Sequence, residues 1–185
     1  MESDHYRLQV LSAVMKNGRL TPAQQAALTD AAGSIESDHY ASEFLKTLAN
    51  AGPMAPAVRR SFLAGVGRID SDHYASVVLR AFIAEQDPSG SDIPDILAAT
   101  RRMKSDHNAQ EALEALLTES TLSERDLLGV VDVAKDMSDH YASETLRRVA
   151  RHPNAGAGVR AAVLEAAGGL SSHYAEQVRR AAGGR

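Results

Sequence analysis

The chain of 185 residues contains no cysteine and no tryptophan, and only 3 Phe and 5 Tyr. Without cysteine it can form no disulfide, thiolate nucleophile or cysteine-ligated zinc site. No apolar run approaches the ~20 residues that are needed to cross a bilayer. Positive charge is not in excess either, because 20 Lys+Arg against 24 Asp+Glu give a formal net charge of −4. This balance argues against a protein that binds duplex DNA.

The first residues, Met1-Glu2-Ser3-Asp4, are acidic where a secretory signal would be basic and then apolar. We therefore expect a protein made in the cytoplasm, or a segment of a longer chain whose compartment stays open. At 44% hydrophobic and 24% charged residues, the composition is that of a folded protein.

A four-residue motif, Ser-Asp-His-Tyr, organises the whole sequence. Its six copies follow one another at intervals of 34, 34, 34, 33 and 33 residues, and we number positions within each copy from its Tyr as zero. The fourth copy has Asn in place of Tyr, and the sixth has Ser in place of Asp. The copies begin at Ser3, Ser37, Ser71, Ser105, Ser138 and Ser171.

Each repeat predicts two helices. Apolar residues fall at +4, +5 and +8 after the motif, as in Val10, Leu11 and Val14 of the first copy, and Ala occupies +1 in five copies. A second apolar stripe precedes each motif, and both stripes have the 3.6-residue period of a helix. A helical hairpin of this size cannot bury its apolar stripe alone, so neighbouring hairpins must stack. The prediction is an all-α fold, a single α-solenoid over residues 1–185 with about 11 helices of roughly 12–16 residues.

The motif itself predicts helix starts. Ser is expected to place its side-chain oxygen at the N-cap, and Asp to place negative charge in the first turn, at the positive end of the helix dipole. Two of the helices that precede a motif are expected to begin with Thr21-Pro22 and with Ser123. The predicted caps in the motifs are Ser37, Asp38, Ser71, Asp72, Ser105, Asp106, Ser138 and Asp139.

The His of the motif is the residue that helix capping does not explain. On a helical wheel it points away from the apolar stripe, towards the polar +3 and +6 positions, and we expect +2, +3 and +6 to be exposed. One interpretation is an exposed His that contacts its own helix or the next hairpin. The other is a ladder of histidines along a surface that faces a ligand. The candidate binding residues are His39, His73, His107, His140, Glu43, Glu111 and Glu144.

Metal binding and catalysis receive no support from the sequence. The motif histidines lie one per repeat, about 10 Å apart if hairpins stack at the usual distance, and no His-x-x-x-His pair occurs. Three consecutive helical residues point in different directions, so Ser-Asp-His cannot form a hydrolase triad. The sequence therefore predicts no metal, no cofactor and no enzyme.

Residues Ile35-Glu36-Ser37-Asp38-His39-Tyr40, followed by Leu45 and Leu48, resemble a bacterial class of HEAT-like helical repeats. Those repeats run apolar-x-Ser-Asp-Tyr…Leu-x-x-Leu and often follow membrane-anchored sensor or metallopeptidase modules. This chain departs from them by a His before the Tyr. The resemblance implies a non-enzymatic repeat region that belongs to, or derives from, a larger protein.

Three functions follow as expectations. A stack of hairpins exposes an extended regular surface, which favours a scaffold that binds a protein or peptide and no nucleic acid. The alternative is a passive spacer or oligomerisation module. A third is a surface that responds to pH through the histidine ladder, because exposed histidines gain charge on mild acidification. Four Arg pairs could also form a basic stripe, although Glu and Asp interspersed with them favour ordinary solvated faces.

Overall fold

The computed structural model describes residues 2–15 and 20–183, and over these residues the chain forms eleven α-helices and no strand. The helices that carry the motifs, which we call the B row, are α1 (Glu2–Met15), α3 (Asp38–Ala49), α5 (Asp72–Gln86), α7 (Asp106–Glu119), α9 (Asp139–Arg151) and α11 (Ser172–Gly183). The helices between them, the A row, are α2 (Pro22–Ala32), α4 (Pro56–Val66), α6 (Asp92–Arg101), α8 (Glu124–Ala134) and α10 (Ala157–Ala167).

The hairpins stack as repeats. Each B helix packs against the B helix of the next repeat, and each A helix packs against the next A helix, so that two parallel rows share one core. The predicted all-α solenoid is confirmed. B helices have 12–15 residues as expected, whereas A helices have only 10 or 11. No helix in residues 2–15 and 20–183 combines the length and apolarity needed to span a membrane.

Local sequence explains where several helices begin and turn. Thr21 and Ser123 each accept a hydrogen bond from the third helical residue, which confirms the two predicted helix starts, and each forms a complete capping box. Gly52 and Gly90, in linkers from B to A helices, have φ values of +123° and +55°, which favour glycine. The predicted linker at Asn17-Gly18 lies outside the described residues.

The core consists of the predicted stripes in the middle repeats. Phe44, Val78 and Leu113 are completely buried, and Phe62 stacks on Phe82 with ring centroids 5.2 Å apart. The +1 alanines are no more than 7% exposed, so neighbouring helices approach closely there.

Two predictions about burial are wrong. Val10 and Val14 are 64% and 43% exposed, because they lie on the side of α1 that in the other B helices packs against the preceding repeat. The +2 position, expected to be exposed, is buried at Ser42, Ser76 and Ser143. It lies on the side of the helix that faces the following repeat, where the equivalent Leu8 and Gln110 are half-buried.

Candidate functional site

The Asp of each motif connects one repeat to the next. In the second repeat, Asp38 accepts hydrogen bonds from the backbone N–H groups of Asp70 at 3.3 Å and Ser71 at 2.8 Å. Asp72 does the same with Lys104 and Ser105, at 2.8 and 2.7 Å. The other bridges join Asp4 to Ser37, Asp106 to Ser138 and Asp139 to Ser171, at 2.9–3.1 Å. We call these five contacts the Asp bridges.

The Asp bridges correct the predicted capping role of the motif. Ser37, Ser71, Ser105 and Ser138 do occupy the N-cap position, yet among these four only the Ser105 hydroxyl accepts a hydrogen bond from its own helix, from the Asn108 backbone N–H at 3.4 Å. Ser37, Ser71 and Ser138 make no such bond. Their backbone N–H is instead held by the preceding Asp, and the Ser138 hydroxyl also donates to Asp106 at 2.6 Å. The motif is therefore a connection between repeats as well as a helix start.

The pKa of Asp139 supports this connecting role at the bridge between Asp139 and Ser171. Hydrogen bonds from the side chain and backbone N–H of Ser171 lower the pKa of Asp139, because they stabilise its ionised form. The sixth copy, which no further motif follows in this sequence, has Ser172 at the position of the Asp.

The His and Tyr rings of the motifs form a row along the B helices, which we call the ring ridge. Five of the six histidines lie beside the Tyr of their own motif, and four lie beside the Tyr of the next repeat. His39, for example, has its ring centroid 5.2 Å from that of Tyr40 and 5.6 Å from that of Tyr74. All six motif histidines are exposed, whereas the four tyrosines from Tyr40 onward are half-buried. Four of the six rings thus contact the next hairpin, and all six are exposed, whereas a ligand-facing role of the row stays a prediction.

The ring ridge has one interruption. It runs from Tyr6 to His73 and resumes at His107, and the described residues show no ring contact between these two histidines because Asn108 stands where the other copies have Tyr. Across the other junctions the centroid distances are 5.6–6.1 Å.

The candidate carboxylates lie beside the ridge but are mostly engaged by cations. Glu43 pairs with Lys46 at 3.0 Å, and Glu144 pairs with Arg147. Glu111 lies 3.4 Å from Arg80 of the preceding B helix and 3.9 Å from its own His107. Of the three i,i+4 pairs His39–Glu43, His107–Glu111 and His140–Glu144 in the described part of the chain, only His107 and Glu111 are in contact. Glu43 and Glu144 pair with cations of their own helices, and among the three carboxylates Glu111 is the one that joins two helices.

The Arg pairs do not assemble into an unpaired basic stripe. Members of four pairs contact carboxylates: Arg59 with the buried Asp92 at 2.8 Å, Arg101 with Asp132, Arg148 with Glu114 at 2.8 Å, and Arg180 with Glu176 at 2.9 Å. This arrangement fits the interpretation of mixed, solvated faces.

The chemistry that this surface offers is stacking and hydrogen bonding by rings. Over residues 2–15 and 20–183, no three His, Asp or Glu side chains are grouped so that they could hold a metal ion. Within a motif, Asp contacts the next repeat while His lies on the ridge, so the two do not form a chain of hydrogen bonds with Ser. Comparison of the chain with protein-family models, curated proteins and solved structures found no match.

The sequence pattern missed the tyrosines as partners of the histidines and the serine backbone as the partner of Asp. Helical periodicity carries no signal for the second contact, because the partner of the Asp belongs to the next repeat.

Proposed function

We propose that this array is a non-enzymatic scaffold that binds proteins or peptides along the ring ridge. The observation that carries the proposal is the row of six exposed histidines, each placed at the edge of a half-buried tyrosine or Asn108. Imidazole and phenol rings offer flat apolar surface together with polar atoms, a combination that suits protein interfaces. We further propose, from the resemblance to HEAT-like repeats, that the array works within a larger bacterial protein.

Two features of the array support recognition of an extended partner. The Asp bridges hold successive repeats at a regular spacing, so the array would lose little conformational freedom when a partner binds. The +3 positions beside the ridge carry Gln, Glu or Val, so the chemistry next to the rings varies along the array. They are Gln9, Glu43, Val77, Glu111, Glu144 and Gln177.

A displayed library of random peptides, selected on the purified chain, tests this proposal. Peptides that bind should lose at least about tenfold in affinity on the variant His39→Ala/His73→Ala/His107→Ala, because the ring surface is removed. The matched control, Asp30→Ala/Arg60→Ala/Arg102→Ala, changes three exposed residues on or directly after A-row helices and should bind as the parent does. Failure to select any saturable peptide, or equal losses in both variants, would favour the passive spacer.

The exposed row also favours a second candidate, a surface whose partner preference changes with pH. Protonation of the six motif histidines would add six positive charges to the formal −4 and give +2. Binding of a polyglutamate probe should therefore strengthen between pH 7.5 and 5.5, and the triple His→Ala variant should show a smaller change. Equal pH dependence in the two proteins would exclude the histidines as its cause.

A further inference from the structure

At four junctions between repeats, a tyrosine of the ring ridge lies between two histidines. Tyr74, for example, has its ring centroid 5.6 Å from that of His39 in the preceding repeat and 5.3 Å from that of His73 in its own motif. At all four junctions the distances to the preceding His are 5.6–6.1 Å, and those to the His of the same motif are 5.0–5.3 Å. One tyrosine ring therefore fits the space between consecutive histidines of the ridge.

The junction between α5 and α7 has the two histidines but not the tyrosine between them. Asn108 stands at the tyrosine position, and its side chain lacks the phenol ring. We call the space between the His73 and His107 rings, with Asn108 at its base, the ridge gap. Both histidines are exposed and Asn108 is half-buried, so the ridge gap is accessible from solvent.

The backbone holds the two sides of the ridge gap at the usual spacing of the array. Asp72 accepts hydrogen bonds from the Lys104 and Ser105 N–H groups at 2.8 and 2.7 Å. Asp38 makes the equivalent pair of bonds at the preceding junction, where Tyr74 fills the space. The space that a tyrosine fills elsewhere is therefore kept at this junction, and an aromatic ring that enters it finds both neighbouring rings already in place.

The side chains around the ridge gap suit an aromatic group. Val77 lies one helical turn after His73 on the same face of α5, and it is half-buried. It is the one apolar residue among the six +3 positions, which are otherwise Gln or Glu. Asn108 adds an amide that can both donate and accept hydrogen bonds. On the α7 side, Glu111 lies 3.4 Å from Arg80, which offsets its negative charge.

We propose that the ridge gap binds a tyrosine side chain of a partner peptide, which takes the place of the tyrosine that the fourth motif lacks. The chain itself shows the chemistry of the occupant, because a tyrosine fills the equivalent space at four other junctions. The inference rests on the proposed peptide binding along the ring ridge, and it assigns the position of the aromatic anchor.

The smallest probe of the ridge gap is 4-methylphenol, which reproduces the side chain of tyrosine. In an NMR titration of the full chain at pH 7.5, up to about 20 mM probe, the largest histidine ring shifts should fall on His73 and His107. Asn108→Tyr fills the gap from within and should abolish this preference, whereas Asn108→Ala leaves the gap open and should keep it. Circular dichroism should show that both variants retain the parent's helix content. Equal shifts at all six motif histidines, or the same shifts in the parent and Asn108→Tyr, would overturn the proposal.

Peptides from the displayed library separate this inference from the proposed function. Peptides selected on the parent should contain a tyrosine whose change to alanine weakens binding at least about tenfold, and Asn108→Tyr should weaken the same peptides to a similar extent. Peptides that need the ridge histidines but bind Asn108→Tyr as well as the parent would overturn this inference and leave the scaffold proposal standing. The reverse result, 4-methylphenol in the ridge gap but no selected peptide, would confirm the aromatic site and contradict the scaffold proposal.

Discussion

Removal of one Asp bridge gives a direct prediction for stability. Asp72 accepts two backbone hydrogen bonds from the start of the next repeat, from Lys104 at 2.8 Å and from Ser105 at 2.7 Å. Asp72→Ala leaves both N–H groups without this acceptor and also removes a negative charge from the first turn of α5.

The expected loss follows from the geometry. A hydrogen bond to a charged group typically contributes about 1.5–3 kcal/mol, and partial exposure of Asp72 and Ser105 lets water replace part of it. We therefore expect a total destabilisation of about 1–3 kcal/mol, or roughly 2–10 °C in Tm for a chain of this length. Asp72→Asn, which keeps a side-chain oxygen as acceptor, should lose less.

Denaturant unfolding and hydrogen exchange together measure this loss. The Ser105 amide should exchange faster in Asp72→Ala than in the parent, in keeping with the broken bridge. Glu85→Ala serves as control, because Glu85 is exposed on the same helix and should change stability little. Ser172→Asp adds the charge without a following repeat, and it should gain at most about 1 kcal/mol from the helix dipole. The reasoning is refuted if Asp72→Ala and Glu85→Ala are equally stable and the Ser105 amide exchanges unchanged.

Three further changes test separate parts of the structure. The buried hydroxyl of Thr145 has no hydrogen-bond partner within residues 2–15 and 20–183. Thr145→Val should therefore stabilise the fold by about 1 kcal/mol in denaturant unfolding, and a loss of stability would contradict this reasoning. Asn108→Tyr should restore the missing ring contact with His73 and gain about 0.5–1.5 kcal/mol, whereas Asn108→Ala should gain nothing. Burial lowers the pKa of His152 in the folded protein below its ordinary value of 6.5. The neutral ring therefore contributes stability at neutral pH, and this stability is lost as the pH falls from 6.5 towards the lower pKa of the folded state. His152→Asn, which can still accept the Asn154 N–H, should lose less stability than the parent between pH 7 and 5, and equal losses would contradict the shift.

The features predicted correctly from the sequence depend on neighbours three or four residues apart. The helix starts at Thr21 and Ser123 follow from the residues of the first turn, and the buried stripe through Phe44 and Leu48 follows from helical periodicity. Stacking of the hairpins followed as well, because each stripe needs a second hairpin to cover it.

The features missed depend on how one repeat is placed on the next. The partner of Asp38 is the Ser71 N–H, 33 residues away, and the partner of the His39 ring is Tyr74. Neither partner can be identified from a helical wheel, because a wheel gives side-chain directions on one helix but not the rotation and rise between helices. For the same reason Ser42 was expected to be exposed, although it lies on the side of α3 that faces the following repeat and is buried.

The central claim is that Asp carboxylates join consecutive repeats through backbone N–H groups, and native-state hydrogen exchange measures this directly in the full chain. The amides of Ser37, Ser71, Ser105, Ser138 and Ser171 should be protected, and each should lose protection when its own Asp is changed to Ala while the other four change less. Five serine amides that exchange at the rate of free, exposed backbone would contradict the claim.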